Sequence, residues 1–143
     1  MLSGGCLCGD VRYEAGTGAF HECACHCSIC RRASGAPFVA WFSVPRASFR
    51  WLQGQATSYA STERGTRSFC PRCGTQLTFD ESACQDEVGV TTCSLDNPEQ
   101  LPPHCHIYTG TQLEWVKLED GLPRHRGSRR EEEPSGGEAS RSD

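Results

Sequence analysis

The stretch that decides the fold is Cys25-His26-Cys27-Ser28-Ile29-Cys30, which two further cysteine pairs bracket along the chain. The upstream pair lies in Cys6-Leu7-Cys8-Gly9, and the downstream pair lies in Cys70-Pro71-Arg72-Cys73-Gly74. These seven thiols divide naturally into one closed metal site with four ligands and one open site with three. An open zinc position can accept a water or a substrate, so the division predicts a site at which chemistry takes place.

The two outer pairs have the form of a structural zinc site. Cys70 and Cys73 are separated by two residues, and the glycine after them permits the positive φ of a tight turn. Cys6 and Cys8 are closer together but also end in Cys-Gly. We predict that these four thiolates close one site and pin the N-terminal strand against the strand pair around residue 72. A redox pair, an iron–sulfur cluster and unmetallated thiols are the alternatives.

The central cluster differs because it has no closing glycine and runs into a short helix, which we predict over Ser28–Ala33. Thiolates at the start of that helix are favoured by its dipole and by the guanidinium groups of Arg31 and Arg32. We expect a catalytic zinc site in this cluster. Its three protein ligands are Cys25, Cys27 and Cys30.

Cys23 leaves an alternative for this central cluster. If the segment is extended, side chains at positions 23, 25 and 27 share one face, and Cys23 could close the site into a structural four-thiolate centre. His26 would then point to the opposite face. We interpret His26 as a structural or exposed histidine.

Composition predicts one small domain that needs metal for stability. Only 23 of the 143 residues are Leu, Ile, Val or Phe, which is a poor supply of large apolar side chains. Zinc bound by thiolates can add on the order of 10 kcal/mol to folding. We expect a zinc-binding domain at residues 1–126 and a disordered charged tail at residues 127–143, where small polar and charged residues dominate.

Charge and terminal sequence restrict the partners. The N-terminal sequence has neither a basic nor an apolar signal region, and no segment reaches the length of a membrane span, so we expect a cytoplasmic protein that binds no membrane. In a reducing compartment, eleven clustered cysteines are more readily metal ligands than disulfides. A net charge of −4 disfavours nucleic acid as a partner, whereas Arg31 and Arg32 still allow an anionic small molecule.

Short segments rich in β-branched and aromatic residues predict a mainly β fold of small antiparallel sheets. A helical turn is also expected at residues 96–100, where Pro98 suits the first helical position. The predicted strands are Val11–Glu14, Phe38–Val44, Phe49–Leu52, Thr57–Ala60, Gln76–Phe79, Glu87–Thr92 and His104–Tyr108.

The sequence resembles the family of glutathione-dependent formaldehyde-activating enzymes, which includes the centromere protein V type. The combined cysteine spacing is the most specific part of this resemblance, and the match covers nearly all of the predicted domain. The matching segments are residues 4–13, 25–32, 34–38 and 67–77, with weaker matches at Ser94–Pro98, His106-Ile107 and Trp115.

The resemblance implies small coiled β-sheets stapled by zinc, similar to the fold of the zinc-binding Rab-exchange chaperones. It implies two zinc ions per chain, one structural at the four outer cysteines and one catalytic at the three central ones. The family's named activity condenses formaldehyde with glutathione to S-hydroxymethylglutathione. We therefore expect a carbon–sulfur lyase that acts on a small aldehyde with glutathione or another low-molecular-weight thiol as co-substrate.

This chain departs from the family pattern at two places. Members often carry a lysine where this chain has Gln112, so a cationic contact at that position is in question. Four cysteines lie outside the shared ligand set and are expected to be small buried hydrophobes or incidental thiols. They are Cys23, Cys84, Cys93 and Cys105.

Other residues could take part in the reaction. Arg31 and Arg32 are candidates to offset the charge of the thiolates or to bind a glutathione carboxylate. His106, or Asp96, could pass a proton to the hemithioacetal oxygen, although a structural histidine is the competing interpretation. Trp41 and Trp115 are expected in the core, with a place in a pocket wall as the alternative.

Two other functions remain as hypotheses. The first is a non-catalytic, zinc-stapled β module that binds a protein partner, which two coordinatively saturated zinc ions would favour. The second is a redox sensor in which disulfides form among the thiols from Cys23 to Cys30.

Overall fold

The computed structural model describes residues 1–129, and this part of the chain is mainly β as predicted. Its elements are β1 (Leu2–Gly5), β2 (Arg12–Ala15), β3 (Phe20–Cys25), α1 (Ser28–Ser34), β4 (Val39–Pro45), β5 (Phe49–Gln53), β6 (Thr57–Ala60), β7 (Gly65–Phe69), β8 (Gln76–Glu81), β9 (Glu87–Thr91) and β10 (His106–Ile107). Single 3-10 turns cover Arg46–Ser48, Thr92–Ser94, Pro98–Gln100 and Thr109–Thr111. Each strand that was predicted with bounds overlaps an observed one. β7 was expected only as a member of the strand pair around residue 72, and β1 and β3 were not among the predicted ranges.

Most of the predicted tail, residues 130–143, lies outside the described residues. Gly127, the first residue assigned to the tail, is buried, and its carbonyl accepts a hydrogen bond of 3.0 Å from the Tyr108 N–H. The domain boundary after residue 126 stays a prediction. No helix of residues 1–129 has the length and apolar character that crossing a membrane requires.

The chain divides into two compact units. The first consists of Met1–Glu22 and Trp41–Pro102, and the second consists of Cys23–Ala40 and the described residues from Pro103 to Arg129. In the first unit, β1, β2 and β5 form an antiparallel sheet in that order, and the other strands follow the order β4-β9-β8-β7-β6. Both sets of strands contribute to one hydrophobic core, in which Tyr13, Phe42 and Leu77 are fully buried.

The second unit is built around α1 and the pairing of β10 with the end of β3. These two strands are parallel, with His106 opposite Ala24 and Ile107 opposite Cys25, whereas the sequence predicted antiparallel sheets. α1 ends at Gly35, which adopts φ of 69° and donates its N–H to the Arg31 carbonyl at 2.7 Å. This left-handed helix end suits glycine and stops the helix next to the predicted position.

Candidate metal centres

Four cysteine side chains of the first unit converge on one point. Cys6 and Cys8 lie in the loop between β1 and β2, whereas Cys70 and Cys73 lie in the turn between β7 and β8. All four Sγ atoms lie within 4.8 Å of one another, with 3.5 Å between Cys6 and Cys8 and 3.8 Å between Cys8 and Cys70. A tetrahedral zinc ion with bonds of about 2.3 Å holds its sulfurs about 3.8 Å apart. The four residues therefore fit zinc.

A glycine in the left-handed region follows each of these cysteine pairs. φ is 84° at Gly9 and 79° at Gly74, and open space surrounds a Cβ built at either position. Backbone conformation, and not crowding, is therefore what favours glycine here. The Gly9 N–H donates to the Cys6 carbonyl at 3.1 Å, and the Gly74 N–H donates to the Cys70 carbonyl at 2.9 Å. Each turn is thereby closed beside its thiols.

Hydrogen-bond donors surround the sulfurs of this four-cysteine site. The Val11 N–H donates to Cys6 Sγ at 3.2 Å. The Thr75 hydroxyl lies 3.2 Å from Cys73 Sγ, and this side chain together with nearby backbone N–H groups lowers the pKa of Cys73 to about 5. Such donors favour the thiolate form that a metal ion requires.

Three cysteine side chains converge in the second unit. Cys25 is the last residue of β3, Cys27 is the N-cap of α1, and Cys30 lies in the first turn of that helix. Their Sγ atoms all lie within 4.8 Å of one another, and within residues 1–129 no fourth cysteine, histidine or carboxylate joins the group. Three soft ligands without a fourth protein ligand are compatible with zinc in an open site.

Cys23 does not belong to this three-cysteine site, although it lies two residues before Cys25 on the same strand. Its side chain is 3% exposed, and burial raises the pKa of Cys23 to about 12. Its Sγ lies 3.9 Å from Nη1 of Arg129. The geometry therefore gives no support to Cys23 as the ligand that closes the site.

The three central thiols can ionise together only with a cation beside them. Hydrogen bonds with Cys27 and Cys30 and, as a smaller cause, burial raise the pKa of Cys25 far above its ordinary value. The thiolate form of Cys27 is favoured locally, because its Sγ accepts a hydrogen bond of 3.3 Å from the Cys30 N–H at the start of α1. Binding of a divalent metal would relieve the repulsion among the thiolates and release protons.

Cationic side chains of the second unit lie in the last turn of α1 and beside Gln112. Arg31 and Arg32 lie in the last turn of α1, where Arg32 is exposed and Arg31 is partly buried, with a buried Nε that has no hydrogen-bond partner. At position 112, where the family resemblance suggests a lysine, Gln112 Oε1 accepts a hydrogen bond from Arg124 Nη2. A guanidinium from another segment therefore contacts that position, and the sequence pattern did not point to Arg124.

A chain of side-chain hydrogen bonds starts at His26, between two of the central cysteines. His26 Nε2 lies 2.9 Å from His106 Nδ1, and His106 Nε2 lies 2.7 Å from Asp120 Oδ2. The two histidines are 0% and 2% exposed. Burial, and next electrostatic interactions with His106 and Arg124, lower the pKa of His26 to about 4. His106 is thus hydrogen-bonded on both sides of its ring, and no sequence motif indicated Asp120 as its partner.

The structure places Asp96 and Trp115 in surroundings that differ from those expected from the sequence. The carboxylate of Asp96 accepts hydrogen bonds of 2.9 and 2.5 Å from the Arg12 guanidinium, which lowers the pKa of Asp96. A carboxylate held in this way is poorly suited to deliver a proton. Trp41 is buried as expected, but Trp115 is 68% exposed, so its predicted place in the core is wrong.

Comparisons with known proteins agree with the cysteine pattern. Residues 1–111 match the family described as glutathione-dependent formaldehyde-activating enzyme. A Halomonas elongata protein that is provisionally named a glutathione-dependent formaldehyde-activating enzyme is 27% identical over 128 residues, which are 83% of this chain and 82% of that protein. A Schizosaccharomyces pombe protein named an uncharacterized lyase is 33% identical over 76 residues, or 53% of this chain and 55% of that protein.

A similar backbone is also found in a solved structure. The crystal structure of a Rhodobacter sphaeroides protein from structural genomics matches with a TM-score of 0.50 and 25% sequence identity. The match covers 85% of this chain and 98% of that one.

Proposed function

This chain belongs to the family of glutathione-dependent formaldehyde-activating enzymes, and from that premise we propose that it is a zinc-dependent carbon–sulfur lyase. In the direction of addition, a carbon–sulfur bond forms between a thiol and an aldehyde, and the thiol proton goes to the carbonyl oxygen. The product is a hemithioacetal, and the reverse reaction breaks the same bond. The observation that carries the proposal is the three-cysteine site, whose sulfurs converge without a fourth protein ligand among the described residues.

The cysteines of the three-cysteine site would act as ligands and not as nucleophiles. Zinc held there would keep a substrate thiol in its thiolate form beside the aldehyde. Three cysteine thiolates outweigh the charge of a divalent ion, so we assign the main catalytic contribution of the site to bringing the two reactants together. The four-cysteine site would hold a second, structural zinc ion.

Charge in the second unit favours an anionic thiol such as glutathione. Its described residues include six Lys or Arg side chains and three Asp or Glu side chains, although the whole chain has a net charge of −4. Arg31 and Arg32 follow the last proposed zinc ligand directly. We propose that these guanidinium groups bind a carboxylate of the thiol substrate, because a guanidinium can pair with both carboxylate oxygens.

The test compares the natural chain with Cys27→Ser. The natural chain is expected to hold two zinc ions and to convert formaldehyde and glutathione, and a screen of other aldehydes and thiols defines the preferred pair. Cys27→Ser removes one ligand of the three-cysteine site and should abolish turnover while the circular dichroism spectrum is preserved. Cys93→Ser is the control, because Cys93 is exposed and belongs to neither metal site.

Unchanged turnover in Cys27→Ser would contradict the proposed function. X-ray absorption spectra that showed four protein sulfur ligands at both zinc ions would instead favour a non-catalytic module that binds a protein partner.

A further inference from the structure

His26 lies between the proposed zinc ligands Cys25 and Cys27 and makes three hydrogen bonds. The His26 N–H donates to the Ile107 carbonyl at 3.0 Å, and the His26 carbonyl accepts the Thr111 hydroxyl at 3.0 Å. The His26 ring contacts the His106 ring through nitrogens 2.9 Å apart. Because the two flanking cysteines are covalently joined to His26, these bonds restrict the positions that both sulfurs can take.

His106 is itself fixed through its backbone and its ring. Its N–H donates to the Pro123 carbonyl at 2.8 Å, and its carbonyl accepts the His125 N–H at 2.8 Å. On the side of the ring that faces away from His26, His106 Nε2 meets Asp120 Oδ2 at 2.7 Å. The other carboxylate oxygen of Asp120 accepts the Leu122 N–H at 3.1 Å, so the orientation of the carboxylate is also fixed.

The carboxylate determines the positions of the protons along this chain. An ionised carboxylate only accepts hydrogen bonds, so a neutral His106 carries its proton on Nε2 and presents a lone pair at Nδ1. His26 then donates from Nε2. With both rings neutral, a single arrangement of protons satisfies both contacts, and it originates at Asp120.

We propose that Asp120 is a positioning residue for the three-cysteine site and acts through His106 and His26. The inference rests on the proposed function, because it assumes that the three cysteines hold zinc. Asp120 selects one tautomer and one orientation of the His106 ring, which in turn orients His26 and the backbone between two zinc ligands. Loss of an outer partner of this kind typically weakens metal binding about 10–100-fold.

Asp120→Ala tests this role with little risk to the fold, because the Asp120 side chain is 40% exposed. The zinc dissociation constant of the three-cysteine site, measured by competition with a chromogenic chelator, should rise about 10–100-fold. Asp120→Asn keeps the size of the side chain, but its amide can donate as well as accept hydrogen bonds. It therefore no longer selects one tautomer of His106 and should weaken zinc binding as well. Glu119→Ala is the matched control, because it removes the neighbouring exposed carboxylate and should leave zinc affinity unchanged.

Cobalt(II) gives a second readout that is independent of turnover. Its absorption bands depend on coordination geometry, so Asp120→Ala should change the bands of the three-cysteine site and leave those of the four-cysteine site unchanged. The Cys27→Ser variant identifies which bands belong to which site.

Equal zinc affinity and equal cobalt spectra in the natural chain and Asp120→Ala would overturn the positioning role and leave the proposed function intact. The role would also be overturned if Glu119→Ala weakened binding as much as Asp120→Ala, because loss of charge alone would then explain the effect. Zinc affinity in Asp120→Asn equal to that of the natural chain would overturn the selection of a His106 tautomer by the carboxylate. A natural chain that binds only one zinc ion would overturn both the proposed function and this inference.

Discussion

Gly4 shows, at the scale of single residues, a position in β1 that has no room for a side chain. A Cβ at Gly4 would lie 2.4 Å from Tyr13 Oη and 2.5 Å from the Ser94 carbonyl oxygen. Tyr13 is fully buried and stacks on Phe49 with ring centres 5.4 Å apart, while its hydroxyl lies 2.7 Å from Ser94 Oγ. Neither neighbour can move without disturbing the core of the first unit.

We therefore expect Gly4→Ala to lower the free energy of unfolding by about 1–3 kcal/mol, the usual cost of overpacking. Urea denaturation followed by circular dichroism measures the change. Gly18→Ala is the control, because no group crowds a Cβ at Gly18. Its effect should stay within about 0.5 kcal/mol. Equal destabilisation by the two substitutions would refute the steric explanation.

The ion pair between Arg12 and Asp96 gives a prediction about pH. Arg12 lowers the pKa of Asp96 below its ordinary value of 3.8. A carboxylate whose pKa is lower in the folded state than in the unfolded state stabilises the fold at pH values above the unfolded-state pKa. This contribution is lost as the pH falls through the folded-state pKa. Both side chains are partly exposed, so Asp96→Asn should cost no more than about 1 kcal/mol at neutral pH.

Urea denaturation of Asp96→Asn and the natural chain over a pH series is the measurement. The difference in stability should shrink towards zero in strong acid, and Asp86→Asn, at an exposed carboxylate, should show no such trend. A difference that is constant with pH would argue against the ion pair as its cause.

At the scale of secondary-structure elements, the four-cysteine site crosslinks two loops that are far apart in sequence. One loop connects β1 to β2, each four residues long, and the other connects β7 to β8. Strands this short are marginal without additional contacts. A metal ion that joins the two loops would supply such a contact and would link the two sets of strands in the first unit.

Cys73→Ser should therefore destabilise the fold far more than Cys27→Ser. Removal of a ligand of the four-cysteine site loses metal-binding free energy that contributes directly to folding. The three-cysteine site instead connects only the end of β3 to the first turn of α1. Thermal melting of the zinc-loaded proteins measures the difference. A Cys73→Ser melting temperature equal to that of the natural chain would show that the four-cysteine site is not structural.

Several of these elements could be predicted from local sequence. Glycines in left-handed turns and closely spaced thiols are local features, so the sequence grouped the seven cysteines in the two sets that the structure brings together. The start and end of α1 were predicted within one residue for the same reason. Strands β1 and β3 were missed because Leu-Ser-Gly-Gly and Phe-His-Glu-Cys-Ala-Cys contain no β-branched residue.

Contacts between residues far apart in the chain could not be predicted from local sequence patterns. The contact of Asp120 with His106 depends on how the chain returns after β10, and nothing in the residues around Asp120 indicates that return. The predicted strand His104–Tyr108 shortens to His106–Ile107, because Tyr108 adopts a left-handed φ of 53°. The parallel pairing of β10 with β3 likewise depends on the tertiary fold.

At the scale of the whole molecule, each compact unit contains one of the two candidate metal sites. The first unit holds the four-cysteine site, and the second unit holds the three-cysteine site. The two sites also differ in the number of protein ligands and in their expected relation to stability. Loss of metal should therefore affect the two units separately.

We expect a chelator to remove the two zinc ions in two steps. The first ion should leave the three-cysteine site, which has one protein ligand fewer, and turnover should cease while the far-ultraviolet circular dichroism spectrum stays unchanged. The second should leave the four-cysteine site together with loss of β structure, because that ion stabilises the core of the first unit. Native mass spectrometry during the titration counts the bound ions, and Cys27→Ser should show the second step alone. Simultaneous release of both ions with unfolding would contradict the separate roles assigned to the two sites.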